Sequence, residues 1–202
     1  MIARYAAQAG PRATTRAMPD SGWFADGDYA RDGKPHYGDR MRGLFALMNA
    51  SAGLDAACVA AHGARCLFAP FAIEYVATPV FALNSQHDAS MAPGRYVRDA
   101  AGGNDTYLCM SYEPAPCDAL SVNRFGAAMA AWMASSLAPP HGAFVYSAFR
   151  HCSINCDGYD IAIDGTRAAV AMAEWYANGS SAMMNRGQFF QGKDFPCADC
   201  CS

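Results

Sequence analysis

One apolar run, Val80 to Leu83, constrains the fold more than any other stretch of the chain. The run is continuous rather than alternating, and Pro79 precedes it at a position where a strand tolerates a missing N–H. This pattern is typical of a short strand buried on both faces, as in parallel sheets covered by helices. The turn pair Asn84-Ser85 is predicted to end the strand. The sequence therefore predicts an α/β fold with a mostly parallel sheet and flanking helices.

An acid and a histidine follow two runs of this kind. Asp88 comes shortly after Leu83, and a second β-prone run, Gly142 to His151, ends on a histidine. Open α/β sheets place their sites beyond the carboxyl ends of strands, and acid before histidine is the end of a Ser…Asp…His chain order. Taken alone, Asp88 is also explained as a loop or N-cap residue, and His151 as a polar residue in a cysteine-rich loop.

Apolar residues at helical spacing predict two helices, over residues 39–48 and 123–137. The second would form the crossover between the two parallel strands, with Asn123 as its cap. A third helix is predicted over residues 164–176, capped by Asp164, and the tail after it is predicted to be irregular and tethered by disulfides.

Several segments in series resemble the pectin acetylesterase/Notum family. They are T-P-V-F-A-L-N-S-Q-H-D-A from Thr78, G-A-F-V-Y-S-A-F-R-H-C-S from Gly142, A-M-A-E-W-Y from Ala171, and P-D-S-G-W-F-A-D from Pro19. The resemblance covers most of the chain, in order and with compatible spacing. It implies a serine carboxylesterase with an α/β-hydrolase-like fold, in which Asp88 is the triad acid and His151 the triad base.

The nucleophile of that family lies in a G-C-S-A-G-G elbow, and the present chain contains no G-x-S-x-G. The resemblance therefore implies a single partial domain over residues 1–202, the carboxyl-terminal half of the fold, without the elbow and the oxyanion-hole region. Asn49-Ala50-Ser51-Ala52-Gly53 is a near match to an elbow. Because a helical pattern rather than a strand precedes it, Ser51 is the less favoured alternative nucleophile.

Substrate-pocket candidates come from two places. Residues 13–18 form a weak strand candidate, and Asp20, Ser21, Trp23 and Phe24 follow its carboxyl end. Phe68 lies where family members carry paired aromatic residues. Core packing explains the aromatic side chains equally well.

The implied substrate is an O-acyl ester on a polysaccharide or a glycoprotein, and no metal or organic cofactor is implied. The alternative function is that of a non-catalytic carbohydrate-binding or interaction protein that lacks the nucleophile.

Nine cysteines are many for a cytosolic enzyme of this size and favour disulfides in an oxidising compartment. The pairs Cys58–Cys66 and Cys109–Cys117 are the first predictions. A zinc site at Cys197-x-x-Cys200-Cys201 is the rival interpretation, without a second ligand pair to support it.

The remaining composition excludes some partners and suggests a location. With a net charge of −3 and scattered basic residues, no nucleic-acid partner is expected. No apolar run approaches the roughly 20 residues of a membrane span. The cysteines and three sequons, at Asn49, Asn104 and Asn178, favour a secreted or cell-wall protein, although residues 1–16 lack the apolar core of a signal peptide. Met1 is interpreted as an internal methionine.

Overall fold

The computed structural model describes residues 14–26, 37–91, 119–153, 158–182 and 187–200. Short 3₁₀ turns at Ala50–Gly53 and Gly63–Leu67 connect the first three helices, and another at Ile73–Tyr75 precedes the first strand. The helices and strands, in chain order, are α1 (Tyr37–Leu47), α2 (Ala56–His62), α3 (Ala69–Ala72), β1 (Phe81–Ser85), α4 (Ala119–Ser136), β2 (Gly142–Tyr146), β3 (Ala162–Ile163), β4 (Thr166–Arg167), α5 (Ala168–Ala182) and β5 (Gln188–Phe190).

The central sheet is parallel and has the order β1-β2-β5. β1 and β2 pair in register from Phe81 opposite Gly142 to Ser85 opposite Tyr146, so their carboxyl ends lie at the same edge. On the other side of β1, Ala17, inside the weak strand predicted over residues 13–18, and Asp20, just after it, form parallel bridges with Val80 and Leu83. The prediction of a parallel α/β sheet is therefore confirmed.

Helices cover both faces of this sheet. Alternate residues of β1 and β2 point to opposite sides, as strand geometry requires. One set joins a core cluster with the apolar stripe of α4, and the other set joins a second cluster with Trp175 of α5. The predicted stripe of the crossover helix is largely confirmed, because Phe125, Met129, Met133 and Leu137 are all buried and Trp132 packs against the cluster.

β1 continues through Asn84 and Ser85, so the prediction that this pair ends the strand is wrong. Both residues are fully buried, and their polar groups are satisfied inside the protein. Asn84 Oδ1 accepts from the Trp23 N–H, and its amide nitrogen donates to the Ser85 carbonyl. Ser85 Oγ donates to the Ala148 carbonyl. These hydrogen bonds let turn-forming residues occupy a buried strand, because no polar atom need reach water.

The third predicted helix begins later than expected. Asp164 and Gly165, both with positive φ, form the two-residue turn of the β3–β4 hairpin, and α5 starts at Ala168. Asp-Gly is a favoured sequence for such turns. The tail is not irregular throughout, because it supplies β5 to the sheet.

One helical prediction needs a smaller correction. Asn123 lies inside α4 and is not its cap, because the helix begins at Ala119. The helix predicted over 39–48 is present as α1, and two of its apolar side chains lie at the surface: Leu44 is 40% exposed and Met48 is 68% exposed. These side chains border a surface cavity of about 390 Å³ that Leu67 also lines.

The Cys58–Cys66 disulfide is present, as predicted. Cys197 and Cys200 form a second bridge, and Cys152 carries a free thiol. The predicted Cys109–Cys117 pair lies outside the described residues. None of the described helices is long and apolar enough to cross a membrane.

Candidate active site

The loops that follow β1 and β2 are joined by backbone hydrogen bonds just beyond the ends of the strands. The Gln86 N–H donates to the Tyr146 carbonyl at 2.8 Å, and the Ala89 N–H donates to the Arg150 carbonyl at 3.2 Å. Because the two strands are parallel and in register, these loops run side by side. They bring Asp88 and His151 together.

The carboxylate of Asp88 faces the imidazole of His151. His151 Nδ1 lies 3.0 Å from Oδ1 and 3.0 Å from Oδ2 of Asp88. Asp88 Oδ1 also accepts the N–H groups of Ser90, at 2.8 Å, and Met91, at 3.1 Å. The Asp88 side chain is fully buried, whereas 28% of the His151 side chain is exposed. A buried carboxylate that accepts several hydrogen bonds therefore holds a histidine that reaches the surface.

This arrangement selects one form of the imidazole. An ionised carboxylate only accepts hydrogen bonds, so Nδ1 of His151 must carry the proton that it shares with Asp88. The lone pair of the neutral ring then lies on Nε2, which is the nitrogen able to accept a proton. Chemically, the pair can act as a general base oriented by a carboxylate, which is the arrangement of the Asp and His members of a serine-hydrolase triad.

His87 precedes Asp88 but contacts different groups. Its Nδ1 lies 2.8 Å from the Ser147 carbonyl, and its ring packs edge-on against Phe195. The side chain is fully buried, and this burial lowers the pKa of His87 below its ordinary value. The neutral ring therefore helps to pack the site's loops together.

Asp20 and Ser21, predicted as pocket residues, contact the backbone of the loop that carries His151. Ser21 Oγ accepts the Cys152 N–H at 2.8 Å, and Asp20 Oδ1 accepts the Ser153 N–H at 2.9 Å. Ser153 Oγ lies 3.1 Å from the hydroxyl of Tyr146, and burial raises the pKa of that phenol well above its ordinary value. Burial, together with the charges of Asp20 and Asp88, also raises the pKa of the Cys152 thiol.

The predicted aromatic pocket residues are largely enclosed. Trp23 is 3% exposed and belongs to the core cluster under α4, and Phe24 packs against the same cluster. Phe68 is fully buried. Their backbone is joined as well, because the Ala69 N–H donates to the Phe24 carbonyl at 2.9 Å. A role for these rings in substrate contact stays a prediction.

Ser51 lies in the 3₁₀ turn that follows α1, and its hydroxyl donates to Asn49 Oδ1 at 3.2 Å. An elbow needs a strand before the serine and a helix directly after it. The described structure has a helix before Ser51, so the local fold there differs from an elbow.

Among the described residues, one group has its ligand atoms close enough to hold a metal ion, namely Cys197, Asp199 and Cys200. The two sulfurs of this group are bonded to each other, and Asp199 is ion-paired with Lys193 at 3.0 Å. Zinc needs thiolate ligands at such a site. As they stand, Cys197 and Cys200 do not fit the rival zinc interpretation, and Cys201, its third residue, lies outside the described residues.

Sequence reasoning missed the partners that hold the site together. Ser153 and Tyr146 had no signal, because a buried hydroxyl pair has no characteristic spacing. The acceptor role of Asp20 and Ser21 also had none, since the donors are backbone N–H groups that every residue except proline carries.

Comparison with known proteins gives structural neighbours, one of which is described below, and one family. No curated protein sequence matches the chain. The fold is similar to that of the Wnt deacylase Notum from Drosophila, with a TM-score of 0.62 and 19% sequence identity. The alignment covers 83% of this chain and 44% of the Notum chain, so this sequence spans less than half of that protein's length. The sequence profile of the pectinacetylesterases matches residues 3–202, and the chain therefore belongs to the pectinacetylesterase family.

Proposed function

We propose that this protein takes part in the hydrolysis of O-acyl esters, with Asp88 and His151 as the acid and base of a Ser–His–Asp triad. The observation that carries the proposal is the contact of His151 Nδ1 with both oxygens of the fully buried Asp88. Membership of the pectinacetylesterase family supplies the reaction class. The fold alone would not do so, because one fold hosts many functions.

In the proposed reaction, Nε2 of His151 accepts the proton of a serine hydroxyl as that oxygen attacks the ester carbonyl. Asp88 keeps the ring in the required tautomer and stabilises the imidazolium that forms. His151 then returns the proton to the leaving alcohol. Water repeats the cycle on the acyl-enzyme and releases the carboxylic acid. The reaction also needs N–H donors directed at the developing oxyanion.

The substrate class that we propose is an acetyl ester on a cell-wall polysaccharide. Its support is the family's description as pectinacetylesterases. The similarity to a Wnt deacylase makes an acylated glycoprotein the second substrate to test. The Cys58–Cys66 disulfide supports action in an oxidising, secretory compartment.

The test uses the protein produced from its native transcript. Acetate release from acetylated pectin is measured for the wild type, Asp88→Asn and His151→Ala. We expect both variants to lose at least about 10³-fold in kcat, because loss of a triad member has effects of this size or more in serine proteases. His62→Ala is the matched control, since His62 is a half-buried histidine that packs against Phe71 and Tyr75. Unchanged acetate release by His151→Ala would refute the proposed triad.

A labelling experiment on the same variants identifies the nucleophile. A fluorophosphonate probe modifies a serine only where a neighbouring base activates the hydroxyl. Mass spectrometry of the labelled peptide then shows which serine pairs with His151. A label on Ser51 would revive the alternative nucleophile, and a label that persists in His151→Ala would contradict the proposal.

One observation favours a second candidate function. The sequence contains no G-x-S-x-G, and an acid–base pair without a nucleophile has nothing to activate. A carbohydrate-binding protein that uses the same surface would bind acetylated pectin and release no acetate. Calorimetric titration with pectin oligosaccharides, run beside the acetate assay, distinguishes the two functions.

A further inference from the structure

We propose that Asp20 and Ser21 are positioning residues that set the orientation of His151 through the backbone that follows it. The inference rests on the proposed function, because it concerns the geometry of the same acid–base pair. Both residues contact the backbone of the loop that carries His151. Their acceptor oxygens receive the N–H groups of Cys152 and Ser153, the two residues directly after His151.

The first step of the argument is how firmly the acceptors are held. The Ser21 N–H donates to the Leu83 carbonyl at 2.8 Å, and the Leu83 N–H donates to the Pro19 carbonyl at 3.1 Å. Asp20 is also bridged to Leu83. Ser21 Oγ donates to Asp20 Oδ1 at 3.1 Å, which links the two side chains. Both acceptors are therefore fixed against β1.

The second step is that β1 also carries Asp88, just beyond its carboxyl end. The strand thus places the carboxylate directly and places the histidine through Asp20 and Ser21. A hydrogen bond between two groups on loops is easily lost if the loops move independently. Here both loops are anchored to the same buried strand, so the positions of His151 Nδ1 and of the Asp88 carboxylate are both constrained by β1.

The third step concerns the conformation of Cys152. This residue has φ of 64°, in the left-handed region that residues with a Cβ seldom adopt. Such a conformation persists where surrounding contacts hold it. The N–H of Cys152 donates to Ser21 Oγ at 2.8 Å, so the hydroxyl holds the backbone turn by which the chain leaves His151.

The last step is burial. Ser21 is 3% exposed and Ser153 is fully buried, so water cannot readily replace a lost acceptor. Ser153 Oγ also contacts the Tyr146 hydroxyl, which ties the loop back to the end of β2. Cys152 itself is half-buried, so removal of the Ser21 hydroxyl deprives its N–H of this acceptor and frees the loop to shift.

The experiment compares variants of the protein produced from its native transcript. Ser21→Gly removes the hydroxyl and accepts the positive φ of 55° at this position. Asp20→Ala removes the second acceptor, and Asp20→Asn retains an Oδ1 acceptor without the charge. Ser135→Ala, at an exposed serine of α4, is the control.

We expect Ser21→Gly and Asp20→Ala to lower kcat for the acetyl ester between about 10- and 100-fold, the range for a lost supporting contact or a small misplacement. KM should change less than about twofold, because these residues act on the base and not on the substrate. Asp20→Asn should restore most of kcat. The Nδ1 proton of His151 is followed by ¹H NMR and is assigned by its loss in His151→Ala. Its resonance should disappear or shift only in Ser21→Gly and Asp20→Ala.

Wild-type kcat and an unchanged Nδ1 resonance in both Ser21→Gly and Asp20→Ala would overturn the inference. If Asp20→Ala fails to fold, Ser21→Gly decides by the same readouts. Failure of the proposed function is distinguishable, since the wild type would then release no acetate, or His151→Ala would release it at the wild-type rate. The NMR signal would still test the positioning role in that case.

Discussion

Gly126 of α4 is predicted to be a position where an added methyl group destabilises the fold. A Cβ built there would lie less than 3.0 Å from two ring atoms of His87. The ring is held by the contact of its Nδ1 with the Ser147 carbonyl at 2.8 Å and by the neighbouring ring of Phe195. Since both Gly126 and His87 are buried, the helix and the loop before Asp88 are in direct contact at this point.

The magnitude follows from three terms. Non-bonded carbon atoms prefer roughly 3.5–4.0 Å, so the helix or the ring must move about 1 Å, and overpacking of this kind typically costs about 1–3 kcal/mol. If the ring rotates away, the hydrogen bond to Ser147 is lost at about 1 kcal/mol more. Replacing glycine by alanine within a helix returns about 1 kcal/mol. We therefore expect Gly126→Ala to reduce the free energy of unfolding by about 2 kcal/mol.

Urea or thermal unfolding measures this difference, and a loss of about 2 kcal/mol corresponds to a Tm lower by about 4–8 °C in a domain of this size. Gly43→Ala is the matched control. Gly43 lies in α1 with no atom within 4 Å of an added Cβ, so there the same substitution should stabilise by about 0.5–1 kcal/mol.

A double-mutant cycle tests the cause of the effect. Removal of the ring in His87→Ala creates space for the new methyl group, so Gly126→Ala should become neutral or stabilising in that background. Destabilisation of equal size in both backgrounds would refute the reasoning, because the clash would then not be with His87. A stabilising effect of Gly126→Ala in the wild type would also refute it.

Three further predictions concern stability. Because burial lowers the pKa of His87 below 6.5, the folded protein binds fewer protons than the unfolded chain, so stability should fall as pH decreases below 6.5; urea midpoints should show a shallower pH slope in His87→Asn, and an equal slope would contradict this. Asn123→Ala should cost about 2–4 kcal/mol in chemical unfolding, because the Asn123 amide pairs with both backbone groups of the buried Phe195, at 3.0 and 2.6 Å; a cost under about 1 kcal/mol would count against it. Replacing Cys58 and Cys66 by serine should lower stability by about 2–3 kcal/mol through chain entropy, and an unchanged midpoint would show that the small loop is held by other contacts.

The elements that the sequence predicted best are those whose signal is local. The apolar runs at Val80 and Gly142 predicted buried parallel strands, and the stripe from Phe125 predicted the crossover helix between them. Burial on both faces leaves a continuous apolar run, and a helix against a sheet leaves a stripe. The juxtaposition of Asp88 and His151 followed, since parallel strands end at the same edge.

The errors arose where tertiary hydrogen bonds overrode a local preference. Asn84 and Ser85 favour turns in isolation, yet both lie in β1, because Trp23, Ala148 and their own backbone satisfy their polar atoms. The cap predicted at Asn123 failed for a similar reason, since its amide binds the backbone of a distant segment. Propensity describes which backbone conformations a residue favours in water. A specific buried hydrogen-bond partner changes which of these conformations has the lowest free energy.

The positioning of His151 could not be predicted from the sequence, for a different reason. Asp20 and Ser21 act on Cys152 and Ser153 through backbone N–H groups, so no residue type at the receiving end marks the contact. What the sequence does constrain is the acceptor, because only short polar side chains such as Asp, Asn, Ser and Thr present an oxygen at this distance from the main chain. In Cys152→Gly, the N–H donor after the histidine remains, and glycine adopts the positive φ without a steric penalty. We expect that variant to keep the kcat and the Nδ1 resonance of the wild type, whereas loss of either acceptor should not.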